Sequence, residues 1–91
     1  MRNYEITNIL REGNVEETKS AVKELLSKYN FTIQGEEDWG SKRLWHPVGQ
    51  DEQGHFILTK CSGSPAEVIK IEHEFKLNAN ILKTLVIRAN G

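Results

Sequence analysis

One cysteine, two prolines and no long apolar run set the first limits on this sequence. A lone Cys61 can form neither an intrachain disulfide nor a multi-cysteine zinc site, and it suits a reducing compartment. No stretch approaches the ~20 apolar residues that a membrane span needs, and Met1-Arg2-Asn3-Tyr4 opens without the apolar run of a signal peptide. A cytoplasmic protein with no membrane partner is therefore expected. Charge of one sign is lacking as well: 12 Lys+Arg against 13 Asp+Glu leave a formal net charge of -1. That excludes a nucleic-acid binder that is basic all over, so any phosphate contact has to come from a local patch. Repeats, low-complexity tracts and glycine-rich nucleotide loops are absent. What remains is 91 residues, 37% apolar and 27% charged, which fits a single domain over 1–91 with one modest core.

Residues 3–10 read as a strand, with Tyr4, Ile6 and Leu10 on one parity and the polar Asn8 interrupting it. Asn14 and Glu17 have the spacing of a capping box. Behind them Val15, Thr18, Val22, Leu25, Leu26 and Tyr29 recur at helical spacing, which predicts a helix over 15–29 stopped by a left-handed Asn30. A long polar strand follows from Phe31 to Val48. Gly35 and Gly40 mark bulges in it, and its polarity and Pro47 place it at a sheet edge. The polar stretch 49–54 predicts a turn. Residues 55–62 are apolar on both parities, as in a central strand. Ser64-Pro65-Ala66-Glu67 predicts a second capped helix, ending near Leu77, and 81–89 the last strand. The order β-α-β-β-α-β is that of an α+β, ferredoxin-like split β-α-β fold. It has a four-stranded antiparallel sheet, both helices on one face, and the first and third strands in the centre. Leu25, Leu26, Ile33 and Val68 are expected in the core.

Two helices cover only one face of such a sheet. Phe56, Leu58, Leu85 and Ile87 then supply apolar area on a face without helices, which points to a partner protein. A second signal is basic and aromatic: Lys42-Arg43 interleaved with Trp39, Trp45 and His46, together with Arg2 and Arg88 at the chain ends. Arg and Lys bind phosphate, and rings stack on bases. A charged edge strand that resists aggregation has the same composition, so the residues alone leave both readings open. Gly54-His55-Phe56-Ile57-Leu58 matches the aromatic strand motif of RRM modules only in part, because the first strand lacks its second aromatic. Catalysis is not expected. Cys61 has no nucleophile motif around it, and Glu36-Glu37-Asp38 reads as a solvated acidic run. His46, His55 and His73 lack metal spacing, so neither a metal nor a cofactor is expected.

The stretch Glu37-Asp38-Trp39-Gly40-Ser41-Lys42-Arg43-Leu44-Trp45-His46-Pro47-Val48 is similar to an acidic–Trp–Gly–basic–basic–Leu–x–aromatic–Pro–aliphatic segment of one family. The opening Met1-Arg2-Asn3-Tyr4-Glu5-Ile6, the run Gly54-His55-Phe56 and the closing 80–88 also match its pattern in order and spacing. Over essentially the whole chain the sequence resembles the bacterial small-ribosomal-subunit protein six family. The resemblance implies a non-enzymatic component of the 30S subunit. It implies binding to the central domain of 16S rRNA together with small-subunit protein eighteen during platform assembly, and a monomer when free. It puts Arg2, Tyr4, Lys42 and Arg43 at positions near rRNA. His46 stands where the family commonly has Tyr, and Arg88 joins this RNA-facing set through its charge. Trp45 replaces a usually small residue and is grouped with Phe56, Leu58, Leu85 and Ile87 as partner-facing. Asn8 departs from a usual apolar core position. A ferredoxin-like protein-interaction or small-ligand module without RNA contact is the alternative.

Overall fold

The computed structural model describes residues 2–48 and 51–89, with the backbone only for 45–48. Its elements are β1 (Arg2–Leu10), α1 (Val15–Lys28), β2 (Thr32–Val48), β3 (Asp51–Gly63), α2 (Pro65–Leu77) and β4 (Ile81–Ala89). The strands form one antiparallel sheet in the order β2-β3-β1-β4, so β1 and β3 are central as the β-α-β-β-α-β order predicts, and for β3 as its two-sided apolar composition predicts. Asp51–Gly54 belongs to β3 rather than to the turn expected over 49–54, and residues 49 and 50 lie outside the described residues. Among the described residues no helix is long and apolar enough to cross a membrane.

Strand alternation decides which residues meet the helices. On β1 the even positions Tyr4, Ile6, Asn8 and Leu10 are buried. They pack with Ile57 and Cys61 of β3 beneath Val22 and Leu26 of α1 and Ile71 and Phe75 of α2. Leu26 is fully buried as expected, and Leu25 and Val68 pack partly buried against this core. Ile33 departs from expectation at 36% exposure. It lies on the edge strand beside a register shift, where no further strand covers its flank.

The C-terminus of α1 closes with the stop that Asn30 implied. Asn30 has φ 64°, Phe31 N–H donates to Leu26 O at 2.8 Å and Asn30 N–H to Ser27 O at 3.0 Å. These are the two bonds of a Schellman motif, and Phe31 and Leu26 then meet in the core. The N-termini differ from expectation, because neither Asn14 nor Ser64 makes a side-chain cap. Instead the Asn14 carbonyl accepts from Thr18, both N–H at 3.0 Å and hydroxyl at 2.8 Å, and Glu67 turns to Lys70 at 3.4 Å. Both cap residues are exposed, so the first N–H groups lie at a solvent-accessible helix start, where a side-chain cap is not obligatory.

β2 is bulged at both predicted glycines, with register shifts between Ile33 and Gly35 and between Asp38 and Gly40. Gly40 has φ +77°, a region disfavoured for side chains with a Cβ, and its N–H donates to Asp38 Oδ1 at 2.9 Å. The extra residue at this bulge is Trp39.

Candidate functional site

The register assembles the sheet face opposite the helices. Leu58 of β3 pairs with Thr7, which pairs with Leu85 on its other side. Phe56 pairs with Ile9, and Glu5 stands between Lys60 and Ile87. Phe56, Leu58, Leu85 and Ile87 therefore share one face, and no helix covers it. Leu58 at the centre is 9% exposed, whereas Leu85 and Ile87 are 51% and 49% exposed. Gly54 extends this surface for a steric reason: a Cβ there would collide with Ile9 and reach Leu44 at 3.4 Å.

Trp39, which composition did not single out for this face, belongs to it. It is 45% exposed and its Nε1–H donates to Glu37 Oε1 at 3.3 Å. The Lys42 ammonium lies 5.1 Å from the Trp39 ring centroid and 5.9 Å from that of Phe56. Lys42 thus caps the aromatic end of the apolar face by cation–π attraction. The bulge at Gly40 was the sequence signal that could have placed Trp39 here.

The basic residues do not form one cluster. Lys42 pairs with Gly54 and Arg43 with Gln53, at the start of β3. Arg2 pairs with Gly63 at its end, and Arg88 pairs with Tyr4 beside it. Nine residues of extended strand, roughly 30 Å, separate the two ends. Tyr4 needs a correction. It is 7% exposed and its ring lies 6.2 Å from that of Phe31, because it shares the buried parity of Ile6 and Leu10. It is a core residue and leaves the RNA-facing set. The side chains of Trp45 and His46 lie outside the described residues.

The acidic run is divided by strand alternation rather than being uniformly solvated. Glu36 and Asp38 turn to the helix side and Glu37 to the open face, where it meets Lys60 at 3.2 Å. Lys23 reaches Glu36 at 2.9 Å, and Lys19 reaches Glu36 at 3.4 Å and Asp38 at 3.2 Å. His55 Nε2 and Asp38 Oδ1 are 2.6 Å apart. The N–H of Gly40 is the main cause holding the Asp38 carboxyl below its ordinary pKa, with help from Lys19 and His55. Burial alone would raise Glu36, but the hydrogen bonds from Lys23 and Lys19 outweigh it and the net direction is down. Lys19 is raised, chiefly by its bond to Asp38. This network ties α1 to the edge strand. Burial pushes the Cys61 thiol up to about 11, which suits a core side chain and not a nucleophile. Among the described residues no group of His, Cys, Asp and Glu is arranged to hold a metal.

The arrangement has the chemistry of a docking surface: an apolar centre, an aromatic–cation end, and cations at both ends of the strands. Comparison with known proteins agrees in fold and in kind. The model of the family "Ribosomal protein S6" matches residues 3–88. The small ribosomal subunit proteins bS6 of two strains of Leptospira biflexa serovar Patoc are 94% identical over 91 residues, covering 100% of each chain. The crystal structure of 30S ribosomal protein S6 from Thermotoga maritima superposes with a TM-score of 0.88 at 15% identity, over 97% of this chain and 87% of that one. The C-terminal domain of the MgtC protein from Mycobacterium tuberculosis shares the fold with a TM-score of 0.69 at 14% identity, over 98% and 88% of the chains. This second likeness shows that the architecture alone carries no function. With a family model spanning nearly the whole sequence and full-length relatives at 94% identity, the chain belongs to the ribosomal protein S6 family.

Proposed function

We propose that this protein is a structural, non-enzymatic constituent of the cytoplasmic small ribosomal subunit that binds the central domain of 16S rRNA together with small-subunit protein eighteen, supporting platform assembly and translation. The observation that carries the reading is the uncovered sheet face. Phe56, Leu85, Ile87 and Trp39 surround a nearly buried Leu58, which is the form of a protein-docking patch.

Charge supports a two-partner arrangement. A net charge of -1 provides little of the counterion release that drives RNA binding, so a basic partner protein has to supply most of it. Arg43 at one end of the sheet and Arg2 and Arg88 at the other are exposed, and they supply local phosphate contacts on either side of the protein-facing patch. Lys42 belongs to the border, because its position over Trp39 and Phe56 ties it to the apolar face. The free protein is a monomer in this reading, since the edge strand β2 carries Glu37, Asp38, Lys42 and Arg43 and resists pairing with a second copy.

Two measurements test the proposal separately. In calorimetry of the protein pair, Leu85→Ala with Ile87→Ala should weaken association, while Arg43→Ala and the Arg2→Ala/Arg88→Ala double variant should leave it unchanged. In salt-titrated binding of the preformed pair to rRNA, the arginine variants should lower affinity and reduce the salt slope by about one per lost contact. Arginine variants that bind rRNA like wild type at every salt concentration would overturn the assignment of these arginines to phosphate, and a wild-type pair that does not bind rRNA would overturn the RNA role and leave a protein-interaction module.

A further inference from the structure

We propose that the core of this protein holds one ordered water molecule, seated between β1, β3 and α1 and hydrogen-bonded to the side-chain amide of Asn8. Asn8 is 1% exposed, the polar member of the buried stripe Tyr4, Ile6, Asn8 and Leu10. Its Nδ2 donates to Thr84 Oγ1 of β4 at 2.9 Å. Its Oδ1 is buried and meets no donor among the described residues. A buried carbonyl oxygen in that condition loses its hydration without replacement, so native structures satisfy such atoms with protein or ordered water.

The geometry indicates where the missing donor sits. An amide plane sends its nitrogen and oxygen in divergent directions. With Nδ2 donating to Thr84 on β4, Oδ1 is turned away from that bond. Asn8 also lines a cavity between β1, β3 and α1, together with Lys19, Val22, Lys23, Glu36 and Thr59 among others. It leaves about 10 Å³ for the centre of a water molecule, room for one and no more. The wall is polar enough to hold it: the Thr59 hydroxyl and the Glu36 carboxylate offer acceptors, and Lys19 offers a donor. Water can donate or accept, so it satisfies the Asn8 amide in either orientation of that group. A cation fits less well. Two ammonium groups already reach Glu36 from this wall, Lys19 at 3.4 Å and Lys23 at 2.9 Å, so its charge is compensated. The water therefore explains how an asparagine is accommodated in an otherwise apolar core stripe. It also joins the buried sheet to the ion network that holds α1 to β2.

The test combines a wild-type crystal structure at about 1.5 Å with solution NMR. The map should show a single peak about 2.6–3.2 Å from the Asn8 amide, inside the cavity. Water–protein NOE spectra should show cross-peaks from water to the Val22 and Ile57 methyls, with the sign of a long-lived molecule. Asn8→Val should abolish those cross-peaks, and Thr59→Val, which keeps the side-chain shape, should reduce them without unfolding the chain. A dry or collapsed cavity, Asn8 Oδ1 bonded directly to Lys19 or Thr59, a peak with the short many-oxygen coordination of a cation, or missing water–methyl NOEs would each overturn the proposal.

Discussion

On the helix-covered face of the sheet, Ile6, Leu10, Ile57 and Cys61 meet Leu26, Ile71 and Phe75, and none of them exceeds 4% exposure. On the opposite face Leu85 and Ile87 remain about half exposed. The same strands supply both faces, and both are apolar at their centres. They differ in closure: two helices and an ion network seal one, while the other ends in Lys42 over two rings and in open solvent. The half-exposed Leu85 and Ile87 are the part of the open face that the proposed docking would cover.

The comparison can be broken most forcefully in the core. Phe75→Ala removes a fully buried ring and should cost about 3–5 kcal/mol in a denaturant melt. A loss under 1 kcal/mol would mean that the helix face is not the main source of stability. On the open face, Leu85→Ala should change stability by no more than about 0.5 kcal/mol, yet weaken the protein pair by more than about 1 kcal/mol in calorimetry. Equal effects on folding and pairing would erase the contrast. Leu58 is a poorer probe, because at 9% exposure its truncation disturbs both.

A third prediction concerns acid. Glu36 and Asp38 are held below their ordinary pKa values in the fold, so their contribution is full above the unfolded values and is lost as pH falls through the folded ones. The attachment of α1 to β2 should weaken below about pH 4, and Asp38→Asn should flatten the pH dependence of the denaturation midpoint there. Lys19 has the opposite sign: its raised pKa keeps its contribution below 10.5 and loses it only above. An unchanged acid limb in Asp38→Asn would remove the network from the account of that face. The smallest effects are expected at the helix N-termini. Because neither side chain caps, Asn14→Ala and Ser64→Ala should each cost no more than about 0.5 kcal/mol, against the ~1 kcal/mol of a working cap.

Much of the fold was legible in the residues. The period of α1, the apolar parity of β1, the glycine bulges and the left-handed Asn30 are local features, and each stands where the sequence put it. The strand parities of Phe56, Leu58, Leu85 and Ile87 were legible too, but which parity faces away from the helices was settled only by the register. Tyr4 is instructive. Its parity with Ile6 and Leu10 pointed to the core, while family resemblance pointed to RNA, and burial followed parity. The capping boxes failed because a side-chain cap competes with water at an exposed helix start, a contest that composition does not reveal.

By itself, the sequence determined the six elements and their order, and the apolar side of β1 and of the helices, because helix and strand periods are written over a few neighbouring residues. Only the tertiary structure decided which charges meet. Strand register brings Arg2 and Arg88 to one end of the sheet and Lys42 and Arg43 to the other, and a bulge sets Trp39 beneath Lys42. It also decided that Asn8 faces a water-sized cavity. Such relations depend on pairing between residues distant in the chain, which turns and long-range packing settle together and no local pattern encodes.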